Sequence, residues 1–425
     1  MRDRYGLPIG ASSAAARDAY GRGLDRLLAG DAGADAAFAA AIEAEPDFAL
    51  AHLALARAKQ ALGRPAEAAR PLAAAREGAD RVSAREASAI DALGLLIEGK
   101  AAAAYPKIRA HVAAHPRDAL VAQTCAGVFG LIGFSGQPGR EAEQLAYMAA
   151  LAPHYGEDWW FLCQFAFAQM EVGQLDPARR SIERAVAQKP DAPHVAHVKA
   201  HLHYECGETA EGLAYLSAFQ AGLDRAAQLH CHIAWHVGLW ALETGDLDQM
   251  WGLIDDAMAL EGSQSPPLNV LTDAAALLAR AEMRGVPVPQ ERWARVSAYA
   301  AARFPEPGLA FADVHAALAH AMAGKADALQ RIMRDATGPA APVVGALAEG
   351  FAAYARADWA GAVARFAGVM AEHERIGGSR AQRDLVEHAM ACALLRLGRS
   401  EEAARFLRMR RPHTALSGAV ADLEI

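Results

Sequence analysis

Apolar residues recur at helical spacing along almost the whole chain, and glycines cut the pattern into pairs of short stretches. Gly173, Gly207, Gly245 and Gly398 each close one apolar stretch and precede another, as the turn of a helical hairpin would. The first two lie 34 residues apart. No run of alternating β-branched residues bounded by turn signals is long enough to argue for a sheet.

A 34-residue spacing is the period of the tetratricopeptide repeat. With the hairpin glycine at repeat position 15, the segment from Trp159 to Pro190 places Leu162, Ala166, Ala178, Ile182, Ala185 and Pro190 at the positions of that motif. They supply its large, small, small, large, small and proline residues. The segment from Ala49 to Ala75 fits through Leu55, Ala56, Gly63, Ala68, Leu72 and Ala75, and the one before it through Phe38, Ala41 and Pro46. The C-terminal stretch fits through Gly398, Ala403 and Leu407. Small residues let paired helices approach and large ones fill the groove beside them; neither helix buries its stripe alone, so the repeats must stack.

The expected fold is therefore an all-α, tetratricopeptide-like helical-hairpin solenoid, a right-handed superhelix running as one unit over 1–425. Its sections are N-terminal repeats (1–80), irregular hairpins (81–155), central histidine-rich repeats (156–260) and C-terminal repeats (261–425). Irregular pieces near Gly133, Gly262, Gly285, Phe304 and Thr337 are short and helical patterning resumes after each, so they are loops of a superhelix that curls on itself.

Composition narrows the function. The 425 residues are 53% hydrophobic and only 22% charged, which rules out a disordered chain. Forty-two Lys and Arg against 50 Asp and Glu leave a net charge of −8 with no basic block, so nucleic acid is not an expected partner. No apolar run approaches the ~20 residues of a membrane span and the N-terminus lacks the apolar run of a secretory leader, so the expectation is a soluble cytoplasmic protein without membrane contact. Five scattered cysteines without a CxxC pair read as reduced thiols.

Histidine carries the chemical signal. Seven of the 16 histidines fall between His194 and His236. His194, His197 and His201 are spaced three and four apart and share one face of a repeat's first helix, the helix that lines the concave groove. The next first helix repeats the spacing in His232 and His236. Two HxxxH pairs on adjacent helices suit zinc or another first-row metal, with a carboxylate as further ligand or orienter. The same pairs also suit a metal-free general base, a polar groove or hydrogen-bonded packing. Asp273, early in a later helix, is a further ligand or a first-turn dipole partner. His315 is the groove residue beside Asp313, and Trp235 is core or groove wall.

A second constellation is Gly377, Gly378, Ser379, Arg380, Ala381, Gln382, Arg383 and Asp384. Ser379 and Gln382 form a capping box. Glycines before a helix N-terminus expose backbone N–H groups, and Arg383 adds a fork, together a seat for an anionic group; the other reading is an ordinary well-capped helix.

These motifs resemble those of the tetratricopeptide repeat protein 38 family. The likeness rests on Ala200-His201 with His197 one turn earlier, on Cys231 to His236 followed by Glu243-Thr244-Gly245, and on Asp273 followed by Leu278-Ala279-Arg280. Phe311 to His315 and Gly377 to Asp384 complete it, in the same order over about 155–400. The resemblance implies a helical-repeat protein without a separate catalytic domain.

Two functions remain in view. In one, the solenoid closes around a histidine-rich pocket and hydrolyses an amide or ester bond of a small molecule. His197, His201, His232 and His236 hold a metal or act as base, Asp273 orients a histidine, and His315 assists; Trp235, Gly377, Gly378, Ser379, Gln382, Arg383 and Asp384 bind substrate. In the other, the groove is a non-catalytic scaffold for a peptide or protein partner. Exposed solenoid faces often pair, so a homodimer is among the expected assemblies. An enzyme predicts a closed pocket of roughly 300 to 1,000 Å³, a scaffold an open channel.

Overall fold

A computed structural model describes residues 1–410; the last fifteen residues of the C-terminal section lie outside the described residues. Among the described residues twenty-two α-helices follow one another, and the extended pairing is an isolated bridge between Arg2 and Pro8. The protein is an all-α solenoid of tetratricopeptide-like hairpins.

The glycine punctuation explains the hairpins. Helices Trp159–Glu171 and Leu175–Gln188 turn at Gly173, Pro193–Cys206 and Thr209–Gln220 at Gly207, and His230–Thr244 and Leu247–Asp256 at Gly245. At these turns φ is 79°, 71° and 82°, a region open to glycine at little cost. In each pair the first helix is buried nearly all round. His230–Thr244 buries thirteen consecutive residues, His230 to Leu242, whereas its partner buries only Met250 and Ile254. First helices thus face inward from both sides, which is how so polar a set as the histidines comes to be interior.

Two apolar cores fill the superhelix, one from Tyr5 to Leu202 and one from Ala196 to Leu407. They meet on the helix that carries His197 and His201. The chain also closes on itself. His194 Nδ1 lies 2.9 Å from the Leu28 carbonyl and the Gln228 N–H donates to Gly30, so the N-terminal hairpins press on the central repeats. At the other end Arg140 donates to the carbonyls of Glu374 and Gly378, tying the C-terminal repeats to the middle. The segment 127–139 packs against the C-terminal repeats, Phe129 lying on Phe134 and Phe311 with ring centroids 5.0 and 5.4 Å away.

Candidate metal centre

Helices Pro193–Cys206 and His230–Thr244 are sequential first helices, so their inward faces meet. One nitrogen from each of His197, His201, His232 and His236 lies within 4.8 Å of the other three, and all four residues are buried. The Nε2 atoms of His197 and His201 stand 2.9 Å apart. Helix Pro267–Met283 adds Asp273, whose carboxylate oxygens lie 2.9 and 3.0 Å from Nδ1 of His232. That bond fixes the ring and leaves Nε2 of His232 facing the cluster, the arrangement a carboxylate imposes on a metal-ligating histidine. Asp273 also accepts from the Cys231 thiol at 3.6 Å.

Electrostatics disfavour charge on three of the four histidines. Burial, reinforced by neighbouring imidazoles, holds His197, His201 and His236 well below the ordinary histidine range. Neutral imidazoles are ligands rather than cations at neutral pH. His236 is fully buried, yet neither of its ring nitrogens has a hydrogen-bond partner in the protein. Leaving a buried polar group unmatched costs about 1–3 kcal/mol, so a side chain with two such atoms is out of place in a purely structural core.

Three of the four histidines, His197, His201 and His232, line a cavity of about 140 Å³. Beside them its wall holds Arg57, Gln123, Gln164, Phe167, Asn269 and Gln382. The amide nitrogens of Asn269 and Gln382 are buried and have no partner in the protein. A second space of about 490 Å³, between the turns at Gly30 and Gly33 and the loop at Asp224, adjoins the first and shares Leu27, Ala61 and Gln228 with it. The cavity is smaller than the roughly 300 to 1,000 Å³ expected of an enzyme pocket, and Phe129, packed on Phe134 and Phe311, forms part of its wall.

The remaining expected residues lie elsewhere. The turn at Gly377 and Gly378 is no open anion seat. A side chain at Gly377 would strike the Phe134 ring and one at Gly378 the Phe311 ring, so these glycines admit aromatic rings instead of a ligand. Ser379 and Gln382 do form the capping box, but the backbone N–H of Arg380 already donates to both Glu171 oxygens at 3.0 and 3.1 Å. Arg383 is engaged by Glu141, Glu171 and the Gly378 carbonyl, and Asp384 by Tyr204 and Arg280. Of this set, Gln382 reaches the cavity. His315 bonds the Phe311 carbonyl at 2.7 Å and is not one of the four clustered histidines; burial takes it down to about 4. Trp235 stacks on His232 at 5.1 Å, backing the cluster and not facing the cavity.

Of the wall residues named above, Arg57, Gln123, Gln164, Phe167 and Asn269 escaped the sequence reading, and two of them show why. Asn269 lies four residues before Asp273 in an otherwise apolar stretch, so the face it shares with Asp273 was a usable signal. Arg57 gave no local signal: it sits in the N-terminal hairpins and meets the histidines only because the superhelix closes.

No protein-family model matches the chain. Among solved structures, the human IFIT1 dimer with m7Gppp-AAAA is similar at 13% identity and TM-score 0.46, covering 96% of this chain and 97% of that one. The human IFIT1 dimer with PPP-AAAA is similar at 14% identity and TM-score 0.43, over 96% and 93%. Yeast Tom70 is similar at 14% identity and TM-score 0.37, over 89% and 80%. Nothing about ligand or partner is carried over from likenesses this distant. Among the described residues no helix is long and apolar enough to cross a membrane.

Proposed function

We propose that this protein is a metal-dependent hydrolase in which His197, His201, His232 and His236 bind a first-row dication, zinc being the best suited, and act on an amide or ester bond of a small molecule. The resemblance to the tetratricopeptide repeat protein 38 family belongs to the same reading, because the motifs behind it supply the clustered histidines. The observation that carries it is His236, fully buried with both ring nitrogens unmatched in the protein beside three further imidazoles.

Each wall group then has work to do. A dication held there would act as a Lewis acid and bring the pKa of a water near neutrality. Asp273 holds His232 in the tautomer that presents Nε2 to the cluster. The unmatched amide donors of Asn269 and Gln382 are suited to a carbonyl oxygen, whose negative charge grows as the bond is attacked. Phe167, 4.7 Å from the His201 ring, keeps one side of the site apolar.

The rival scaffold reading draws on the repeat architecture, whose inner faces commonly take an extended chain. Here the inner-face residues His201, His236 and Asp273 are at most 1% exposed, behind the segment 127–139. Metal content of tag-free protein by plasma mass spectrometry tests the proposal. About one equivalent in the wild type, lost in His201→Ala and His236→Ala, is expected. A wild type that holds no metal even after reconstitution would overturn it.

A further inference from the structure

Arg57 lies on helix Ala49–Ala61 and lines the same cavity as the histidines. Its guanidinium donates to the amide oxygens of Gln60 and Gln123 at 3.4 and 3.2 Å. Those amides are themselves held, Gln60 by the Leu96 carbonyl at 2.7 Å and Gln123 by the Leu120 carbonyl at 3.2 Å, so their oxygens stay turned toward the arginine. Its Nε is buried and has no partner. Among the described residues no Asp or Glu forms an ion pair with it, in contrast to Arg383 and its two carboxylates. Burial alone holds the guanidinium down at about 10. An arginine pinned by neutral amides keeps its whole positive charge, in a place where an unpaired charge is costly.

Resting on the hydrolase reading, we propose that Arg57 is the substrate's anion-binding residue, so that the molecule acted on is a small monocarboxylate whose carboxylate meets the arginine fork while its amide or ester carbonyl lies toward the histidines. One uncompensated cation matches one negative charge, and a planar fork matches a carboxylate. The volume limits the ligand to a small one: about 140 Å³ is close to the ~150 Å³ that holds a benzene ring. The arginine stands on the N-terminal side and Asn269 and Gln382 on later repeats, so the two ends of a ligand are read by different turns of the superhelix.

Calorimetry with benzoate, benzamide and inorganic phosphate, on full-length protein both metal-loaded and chelator-stripped, tests this. Benzoate is expected to bind one to one, at least tenfold tighter than benzamide, in both preparations. Arg57→Gln should lose at least tenfold for benzoate and leave benzamide unchanged. Arg57→Lys, which keeps the charge and loses the fork, should fall between them and serves if Arg57→Gln fails to fold. Equal binding of benzoate and benzamide, benzoate binding untouched by Arg57→Gln, preference for phosphate, or no binding at all would each overturn the proposal. Benzoate held through Arg57 by a protein that never takes metal would sink the metal reading and leave this one standing. Benzoate held only by the metal-loaded form, and equally by Arg57→Gln, would do the reverse.

Discussion

Around Arg383 the buried charges answer one another: its guanidinium meets Glu141 and Glu171, Arg140 lies alongside, and the Gly378 carbonyl takes a further N–H. Around the cavity they do not. His236 has two unmatched nitrogens, Asn269 and Gln382 each an unmatched amide nitrogen, and Arg57 a charge without a counter-ion. Both clusters are interior and both join distant parts of the chain. Nε of Arg383 and Nη1 of Arg140 are also unmatched, but both side chains have carboxylates beside them to meet their charge. A polar cluster whose charges are compensated holds the closed superhelix together. In the other, Arg57, Asn269 and Gln382 belong to the cavity wall and His236 stands behind its histidines, the groups that the proposed metal and ligand would complete.

The sharpest way to break this contrast is to remove one charge from the compensated cluster. Arg383→Met leaves Glu171, already pushed upward by burial, without its main counter-ion. Breaking a buried pair costs about 3–5 kcal/mol, so chemical denaturation should show a loss of that size, with the C-terminal repeats detaching first. A loss under about 1 kcal/mol would mean that the Arg383 cluster does not clamp the closure.

The open cluster should answer differently. Asp273→Asn keeps the shape and the hydrogen bond but no longer enforces the His232 tautomer, so metal affinity should fall about 10- to 100-fold with little change in the stability of stripped protein. Competition with a chromogenic chelator reads the affinity. Equal affinity in both proteins would reduce Asp273 to a packing residue.

These two clusters also show how much of the molecule the sequence made legible. Hairpin turns were readable because a left-handed turn favours glycine, so Gly173, Gly207 and Gly245 mark the turns in the sequence, the first two at the 34-residue repeat period. The histidine cluster was readable because i, i+4 spacing is local and consecutive first helices are neighbours. The turn at Gly377 and Gly378 stayed open between an anion seat and a well-capped helix because a glycine that exposes N–H groups and one that makes room for a ring look the same in sequence; Phe134 and Phe311 tell them apart. Arg57 was invisible for a deeper reason. Nothing in its own hairpin says where the superhelix will close, and that closure depends on contacts such as His194 with Leu28.

A milder perturbation is pH. His320 lies outside both clusters, bonded to Ser297 at 2.7 Å, and burial takes it down to about 4. Its folded pKa is below the unfolded value, so the unfolded chain binds the extra proton; the stability it contributes is complete above about pH 6.5 and is lost as pH falls toward 4. Between pH 7 and 5 the loss is at most about 2 kcal/mol. His320→Gln should flatten denaturation midpoints over that range, whatever metal is present. An unchanged slope would place the acid sensitivity in the other buried histidines.

The smallest expected effect has the opposite sign. Arg57→Met replaces a charge without a counter-ion by an apolar chain of similar length, and substitutions of that kind are often neutral or stabilising. The ligand-free protein should gain about 1 kcal/mol in denaturant while losing affinity for benzoate, because the group that weakens the empty cavity is the one that recognises what fills it. Added benzoate should then raise the melting temperature of the wild type and leave the variant's where it was. If Arg57→Met is instead destabilised by several kcal/mol, the arginine is a structural strut between Gln60 and Gln123, and the cavity resembles the Arg383 cluster more than its unmatched atoms suggest.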